Sequence, residues 1–227
     1  MSARGDRSSY DPWKRILDVI SASAGLIVLS PVLVATAVVV RFRLGRPVIF
    51  RQDRAGFRGK PFTIFKFRSM RQVDVERGVV SAEDRMTKFG RMLRASSLDE
   101  LPALLNVLKG DMSMIGPRPL HTRYLDRYTA EQARRHEVRP GMTGLAQVNG
   151  RNSLAWEDRF RLDVDYVETR SIGLDLRILW RTGFTIVSRR GISGGGSATM
   201  SEFFGNADSQ SGNLGEMMDG PGEGRAT

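Results

Sequence analysis

The stretch VISASAGLIVLSPVLVATAVVV, residues 19–40, carries no charged side chain. A straight helix of its 22 residues would be about 33 Å long, enough to cross the hydrocarbon core of a bilayer. Pro31 lies near its centre, where it lacks an N–H and its ring meets the carbonyl of Ile27. The hydroxyl of Ser30 can bond a carbonyl freed in this way. Ser30 and Pro31 therefore predict the apex of a re-entrant helix–break–helix hairpin.

Basic residues flank this stretch on both sides, at positions 14, 15, 41, 43 and 46. Cytoplasmic flanks attract Lys and Arg, and a hairpin that enters and leaves by one face keeps both clusters on the same side. Two alternatives stay open. One is a tilted spanning helix with a proline kink, and the other is a secretory signal peptide cleaved near residues 35–37.

Composition narrows the classes of function. The chain has 227 residues, enough for one domain with a hydrophobic core, and no cysteine, which excludes disulfides and Cys-based zinc sites. Its two histidines are too few for a His-rich metal site. The formal net charge of +10 favours an anionic partner: nucleic acid, a membrane surface or phosphorylated substrates.

Beyond the apolar stretch, the patterns predict an α+β fold that is mainly helical. The segments PVIFRQ and PFTIFKF alternate apolar and basic residues around AGFRGK, which predicts a small β-hairpin. Helical spacing covers residues 85–110, 153–170 and 174–190. The last of these helices carries Trp180 and several arginines, which suits either a membrane surface or a core helix with a solvated basic side. Phe203 and Phe204 are a possible anchor in an otherwise Gly/Ser-rich tail.

The segment RASSLDELP, residues 94–102, holds the adjacent carboxylates Asp99 and Glu100. Pro102 is tolerated only in the first turn of a helix, so the helix begins near Asp99 or is kinked there. Both acids then lie at a positive helix end, which also attracts phosphate oxygens. The simpler interpretation is that Asp99 is an N-cap and Glu100 a first-turn charge.

Basic residues cluster in or beside loop-like, Pro- or Gly-rich segments: Lys66, Arg68, Arg94, Arg118 and Arg139. An arginine between two prolines, as in GPRP, is held on a stiff backbone that suits a fixed guanidinium fork for phosphate. Any one of these cations can equally be part of a solvated basic surface. Together with two carboxylates, they resemble a site for phosphoryl transfer, which usually also uses Mg²⁺.

The chain resembles the bacterial sugar transferases that initiate glycan assembly on a polyprenyl phosphate, the monotopic phosphoglycosyl transferases. Several long motifs occur in the same order as in that family. The resemblance runs from about Lys14 to Phe204. It is carried by KRILDVI with LSPVL, VIFRQDRAG, FTIFKFRSM, SLDELPALLNVLKGDMSMIGPRPL, RPGMTGLAQVNGRN and WEDRFRLDVDYVETRSIGLDLRIL.

The resemblance implies that a UDP-sugar gives its sugar 1-phosphate to undecaprenyl phosphate and that UMP leaves. Asp99 would be the nucleophile, forming a covalent phosphosugar intermediate, and Glu100 would assist as a base or by orienting groups. Mg²⁺ would lie beside Asp99. Phosphates would be held at the positions of Lys66, Arg94, Arg118 and Arg139, and the family's membrane break matches Ser30–Pro31.

Composition predicts the two ends of the chain, and the resemblance implies the parts between them. A flexible arm (1–12) would precede the re-entrant hairpin (13–45), a catalytic domain (46–204) and a disordered tail (205–227). Amphipathic helices at the lipid interface would surround the active site on the cytoplasmic face of the inner membrane. The partners would be UDP-sugar, undecaprenyl phosphate and membrane lipid, with no nucleic acid; neither the sugar nor the oligomeric state is specified. The alternative by composition is a non-enzymatic, basic, membrane-anchored adaptor.

Overall fold

The computed structural model describes residues 5–150, 154–188 and 202–205. The chain is mainly helical, as predicted, and the described residues form two small two-stranded sheets. The α-helices are α1 Gly5–Val28, α2 Ser30–Leu44, α3 Ala82–Arg85, α4 Lys88–Ala95, α5 Leu104–Lys109, α6 Ala130–Ala133, α7 Leu145–Val148, α8 Trp156–Thr169 and α9 Ile172–Ser188. The 3-10 helices are Phe57–Gly59, Leu98–Ala103, Thr122–Arg127 and Arg134–Glu137. The strands are β1 Ile49–Ala55, β2 Pro61–Phe67, β3 Ser113–Ile115 and β4 Gly141–Thr143.

The predicted break in the apolar stretch is present. Helices α1 and α2 meet at Leu29 and are bent by 63° relative to each other. Pro31 lies in the first turn of α2, where a missing N–H costs no helical hydrogen bond. The Ser30 hydroxyl donates to the carbonyl of Ile27 at 2.8 Å, so it satisfies the carbonyl that the proline frees.

No single helix in the described part of the chain is long and apolar enough to cross a membrane. The bent pair Tyr10–Val28 and Ser30–Leu44 meets that criterion together, by length and composition alone. At the apex of the bend, Ile27 and Val28 are 73% and 72% exposed. These apolar side chains have little cover from the rest of the described chain.

The N-terminal arm differs from the prediction, because residues 5–12 are helical as part of α1. Asp175 of α9 contacts this end of α1. It accepts hydrogen bonds from the Tyr10 hydroxyl at 2.5 Å, the Lys14 ammonium at 2.8 Å and the Tyr166 hydroxyl at 2.9 Å. One carboxylate therefore ties α1 to α8 and α9.

Both legs of the bent pair pack on the rest of the chain. Ala22 of α1 belongs to a buried cluster with Leu104 of α5, and Val40 of α2 belongs to another with Phe67, against which Leu98 packs. The 3-10 helix Leu98–Ala103 is thus fixed at its first residue by α2 and just beyond its last by α1. This 3-10 helix carries Asp99 and Glu100.

The predicted β-hairpin is confirmed. Strands β1 and β2 pair antiparallel, from Ile49 opposite Phe67 to Ala55 opposite Pro61. The sequence patterns do not predict the second sheet, in which β3 and β4 pair parallel with Ser113 opposite Gly141. Each of its strands has three residues, too few for an alternating pattern to be recognised.

The C-terminal anchor is confirmed at Phe203, which is buried in an aromatic cluster with Tyr124 and Phe160. Its neighbour Phe204 is 65% exposed. The tail predicted over residues 205–227 lies outside the described residues apart from Gly205.

Candidate active site

The two acids of SLDELP lie in the first turn of the 3-10 helix Leu98–Ala103. Ser97 precedes it in the left-handed conformation, with φ of 57°, and makes no side-chain cap. The 3-10 helix begins at Leu98 and contains Pro102, and the α-helix α5 begins only at Leu104, so the start predicted near Asp99 is that of a 3-10 helix. Because Ser97 forms no capping box with Glu100, neither carboxylate is occupied by helix capping. Both are available for other contacts.

Glu100 is held by two of the predicted phosphate-binding cations. Its Oε1 accepts a hydrogen bond from Lys66 Nζ at 2.6 Å and another from Arg118 Nη2 at 2.7 Å. Burial alone would raise the pKa of Glu100, but Arg118 and Lys66 outweigh it and hold that pKa well below its usual range. Glu100 is therefore an ionised carboxylate that joins β2 to the GPRP loop.

Asp99 has a different environment, although it is the adjacent residue. Its side chain is buried, at 7% exposure, and accepts no hydrogen bond from any residue that the structure describes. Burial, followed by the negative charge of Glu100, raises the pKa of Asp99 to about 6, against the opposing effect of Lys66, Arg94 and Arg118. Asp99 is thus a carboxylate with uncommitted oxygens and a pKa close to the neutral range.

Arg94 lies beside the dyad. Its Nε donates to the Ser69 hydroxyl at 2.9 Å. Burial lowers the pKa of Arg94, and the charges of Asp99 and Glu100 oppose this effect. The structure therefore gathers three of the four predicted phosphate-binding cations, Lys66, Arg94 and Arg118, around the acidic pair.

A cleft of about 360 Å³ opens beside Glu100, Lys66 and Arg118, and we call it the dyad cleft; Asp99 adjoins Glu100 in the chain but is not one of the lining residues. Its polar wall consists of Arg54, Lys66, Glu100 and Arg118, and Ile64 and Met112 contribute apolar surface. Sequence analysis missed Arg54. The alternation of β1 and β2 would have found it, because positions 54 and 66 fall on the same face of the hairpin.

Arg139 lies in a different place, so the structure does not bring it to the dyad cleft. Its Nε donates to the carbonyl of Gly110 at 2.9 Å, and its guanidinium lies over the Phe57 ring. Its role in binding substrate phosphate remains a prediction. Arg139 lines a second cleft of about 510 Å³, which we call the anchor cleft. Its other charged and polar lining residues are Asp11, Lys14, Arg15, Asp18, Ser113, Glu137, Tyr166 and Arg170.

The backbone that carries Arg118 is fixed by two close contacts. A Cβ on Gly141 would lie 2.1 Å from the backbone nitrogen of Gly116, so these two loops can approach this closely only with glycine there. The carbonyl of Arg118 accepts a hydrogen bond from Arg135 Nη2 at 2.8 Å. Arg135 is itself buried and paired with Asp163 at 2.7 Å. The backbone at Arg118 is therefore held in place, as expected for an arginine between two prolines.

Asp99 is the residue of this site that suits a magnesium ion. The described residues contain no group of three or more His, Asp or Glu side chains that could hold a metal. Mg²⁺ is, however, commonly bound by one or two carboxylates together with substrate phosphates and water. The Asp99 oxygens, which no described residue occupies, fit that arrangement.

Comparisons with known proteins show the family of this chain. The family model described as bacterial sugar transferase matches residues 9–189. The chain is 48% identical over 196 residues to the uncharacterized sugar transferase EpsL of Bacillus subtilis, a match that covers 86% of this chain and 97% of that protein.

Two further relatives have names that state a reaction. The chain is 43% identical to a UDP-glucose:undecaprenyl-phosphate glucose-1-phosphate transferase of Caulobacter vibrioides, covering 78% of this chain and 70% of that protein. It is 39% identical to a UDP-N-acetylgalactosamine-undecaprenyl-phosphate N-acetylgalactosaminephosphotransferase of Aeromonas hydrophila, covering 77% of this chain but only 44% of that protein.

Proposed function

Because the chain belongs to the bacterial sugar transferase family, we propose that it transfers a sugar 1-phosphate from a UDP-sugar to undecaprenyl phosphate and releases UMP. Relatives named for reactions of this class support the proposal. The observation that carries it is the contrast within the acidic pair. Glu100 is committed to Lys66 and Arg118, whereas the carboxylate of Asp99 has no such partner among the described residues.

In the first step, an Asp99 carboxylate oxygen attacks the β-phosphorus of the UDP-sugar. The new Asp99–phosphorus bond forms as the bond from that phosphorus to the bridging oxygen breaks, and the electron pair leaves with UMP. A pKa of about 6 leaves most of the Asp99 side chain ionised at neutral pH. The product is an aspartyl phosphosugar.

Lys66 and Arg118 donate to phosphate oxygens in this step. An ammonium has three N–H donors and a guanidinium has five, so each can bond Glu100 and a phosphate at once. Because Glu100 is ionised with a lowered pKa, it is a poor base. We assign it the role of orienting these two cations.

In the second step, a phosphate oxygen of undecaprenyl phosphate attacks the phosphorus of the intermediate. The Asp99–phosphorus bond breaks and the carboxylate is regenerated. The acceptor phosphate is already ionised at neutral pH, so this step needs no general base. A magnesium ion held by Asp99 and the substrate phosphates would shield their negative charges from one another.

Lipid contacts of the bent pair account for its exposed apolar side chains. Ile27 and Val28 at the apex are largely uncovered, and their exposure to water would be unfavourable. We propose that the apex enters one leaflet and that Lys14 and Arg41 remain at its cytoplasmic surface. The legs pack on either side of the 3-10 helix Leu98–Ala103, so this placement brings the dyad close to the lipid phosphate.

Helix α9 has a second apolar surface. Leu176, Trp180 and Phe184 are spaced four residues apart and are 61%, 80% and 62% exposed, so they form one stripe on the helix. We assign this stripe to the membrane interface, where Trp is favoured. Replacing Trp180 and Phe184 with Ser should weaken binding to anionic vesicles, and unchanged binding would contradict the assignment.

The activity is tested by incubating purified protein in nanodiscs with UDP-sugars that carry a labelled β-phosphate. We expect UMP release with at least one UDP-sugar and undecaprenyl phosphate, and label on the protein when the acceptor is omitted. Turnover without label on the polypeptide would contradict the covalent intermediate. No UMP release with any UDP-sugar would contradict the activity and favour the adaptor.

Topology is tested with single cysteines, since the chain has none of its own. Gly5→Cys and Lys60→Cys should both react with an impermeant maleimide from the cytoplasmic side only. Ile27→Cys at the apex should react from neither side. Labelling of Gly5→Cys from the periplasm would show that the pair spans the membrane.

A further inference from the structure

Arg54 is a cation of the dyad cleft with no role in the mechanism above. It pairs with Phe62 in the hairpin, and Lys66 lies four residues further along β2, about 13 Å away along the strand. Both side chains line the cleft. Arg54 and Lys66 therefore mark two ends of one polar wall.

No described residue neutralises the charge of Arg54. Lys66 and Arg118 share Glu100, whereas Arg54 forms no ion pair with a described residue and donates one hydrogen bond, to Gln52 Oε1 at 2.6 Å. Burial, followed by the like charge of Arg118, lowers the pKa of Arg54 to about 10. It remains protonated at neutral pH, as a partly desolvated cation that an anion would stabilise.

The hairpin places Arg54 relative to the acidic pair. Lys66 bonds Glu100, the residue next to Asp99, whereas Arg54 lies at the other end of the wall that it shares with Lys66. Arg54 therefore lies at the end of this wall farther from the nucleophile. In phosphoryl transfer, the attacking and leaving oxygens lie roughly in line on opposite sides of the phosphorus, so the leaving group departs away from Asp99.

We propose that Arg54 binds the phosphate of the leaving nucleotide, an inference that rests on the proposed function. When Asp99 bonds to the β-phosphorus, the electron pair of the broken bond stays on the bridging oxygen, which becomes a terminal phosphate oxygen of UMP. The Arg54 guanidinium donates to the phosphate that gains this charge. Gln52 positions the guanidinium through its Oε1.

The test compares binding of UMP and of uridine, which lacks the phosphate, by calorimetry on the full chain in nanodiscs. Arg54→Gln should weaken UMP binding at least about tenfold and leave uridine binding unchanged. Arg54→Lys keeps the charge without the planar fork, so it should give an intermediate affinity. Arg51→Gln is the matched control, because Arg51 is exposed on the same strand and its register places it on the opposite face.

Kinetics separate the leaving group from the acceptor. Arg54→Gln should slow formation of the labelled enzyme, whereas discharge of preformed intermediate by undecaprenyl phosphate should proceed at the wild-type rate. Equal UMP affinity in Arg54→Gln and wild type would overturn the contact of Arg54 with the nucleotide phosphate but not the proposed function. A loss of uridine binding in Arg54→Gln as large as its loss of UMP binding would do the same. Wild-type protein that neither binds UMP nor releases it would overturn the proposed function first.

Discussion

The dyad cleft and the anchor cleft have separate sets of lining residues and use the same residue types for different purposes. In the anchor cleft, the lining residues Lys14 and Tyr166 both bond Asp175, which lies just outside the lining, and Arg170 pairs with Asp11. These acids join helices that are far apart in sequence. In the dyad cleft, Glu100 plays a similar connecting part, but the adjacent Asp99 accepts no bond from a described residue. The difference indicates that reactivity at this site comes from one carboxylate that the fold leaves uncommitted.

The strongest test of this comparison is Asp99→Asn. Loss of the nucleophile should lower UMP release at least about 1,000-fold, or about 4 kcal/mol in the activation barrier. The free energy of unfolding should stay the same or rise, because an ionised group buried without a hydrogen bond is removed. Rate and thermal unfolding are measured on the same preparation. Near wild-type release would show that Asp99 is not the nucleophile.

The matched change beside the anchor cleft is Asp175→Asn. It removes the shared acceptor of Tyr10, Lys14 and Tyr166, and should lower the free energy of unfolding by about 2–3 kcal/mol. UMP release per folded molecule should be nearly unchanged, because Asp175 lies outside the dyad cleft. Chemical denaturation in detergent measures the loss. A fall in turnover as large as that of Asp99→Asn would erase the distinction between the clefts.

A smaller effect is expected from pH. Asp99 attacks as the carboxylate, and its pKa is raised to about 6, so protonation slows the first step as pH falls through that value. Formation of the labelled intermediate should be about tenfold slower at pH 5 than at pH 7. Glu100 stays ionised over this range because its pKa is lowered. An equal rate at both pH values would show that the buried position of Asp99 does not raise its pKa.

Protonation of Asp99 slows the reaction but stabilises the folded state. The folded-state pKa of Asp99 lies above the ordinary aspartate value of 3.8, so the folded state binds this proton more tightly than the unfolded state does. The stabilising contribution is fully present below the unfolded pKa and is lost as pH rises through about 6. Comparing the pH dependence of unfolding in wild type and Asp99→Asn isolates it.

The smallest effect is expected from Arg139→Gln. Arg139 lines the anchor cleft and bonds the carbonyl of Gly110, so the donor KM should change less than about twofold. The sequence-based role in phosphate binding instead requires a marked rise in that KM. Initial rates of UMP release at varied donor concentration distinguish the two. A rise of tenfold would move Arg139 into the functional site.

Features set by local sequence were predicted well. The proline break with its Ser30 hydrogen bond is present, and so is the hairpin of β1 and β2. Each depends on residues that are close together in the sequence. Backbone geometry and nearby hydrogen bonds decide such features, and neither requires knowledge of the tertiary fold.

Features that depend on distant segments were predicted only in part. Arg118 and Arg139 both lie in Pro-rich loops and have the same charge, so spacing alone gives no reason to separate them, yet packing places them in different clefts. The alternation of β1 and β2 could have placed Arg54 on the same face as Lys66, but only the fold shows that Arg54 lacks the acid that Lys66 and Arg118 share. The contrast between Asp99 and Glu100 likewise appears only when β2 and the GPRP loop are brought together.

The packing of α1 and α2 on the body has a practical consequence for producing the protein. Deleting residues 1–45 would remove Ala22 and Val40, which are fully buried in two separate clusters that hold the 3-10 helix Leu98–Ala103. Truncation should therefore yield an unstable remnant rather than a water-soluble enzyme. A detergent-free variant is better sought by keeping both legs and replacing their outward-facing apolar side chains, such as Val28 and Phe42, with polar residues.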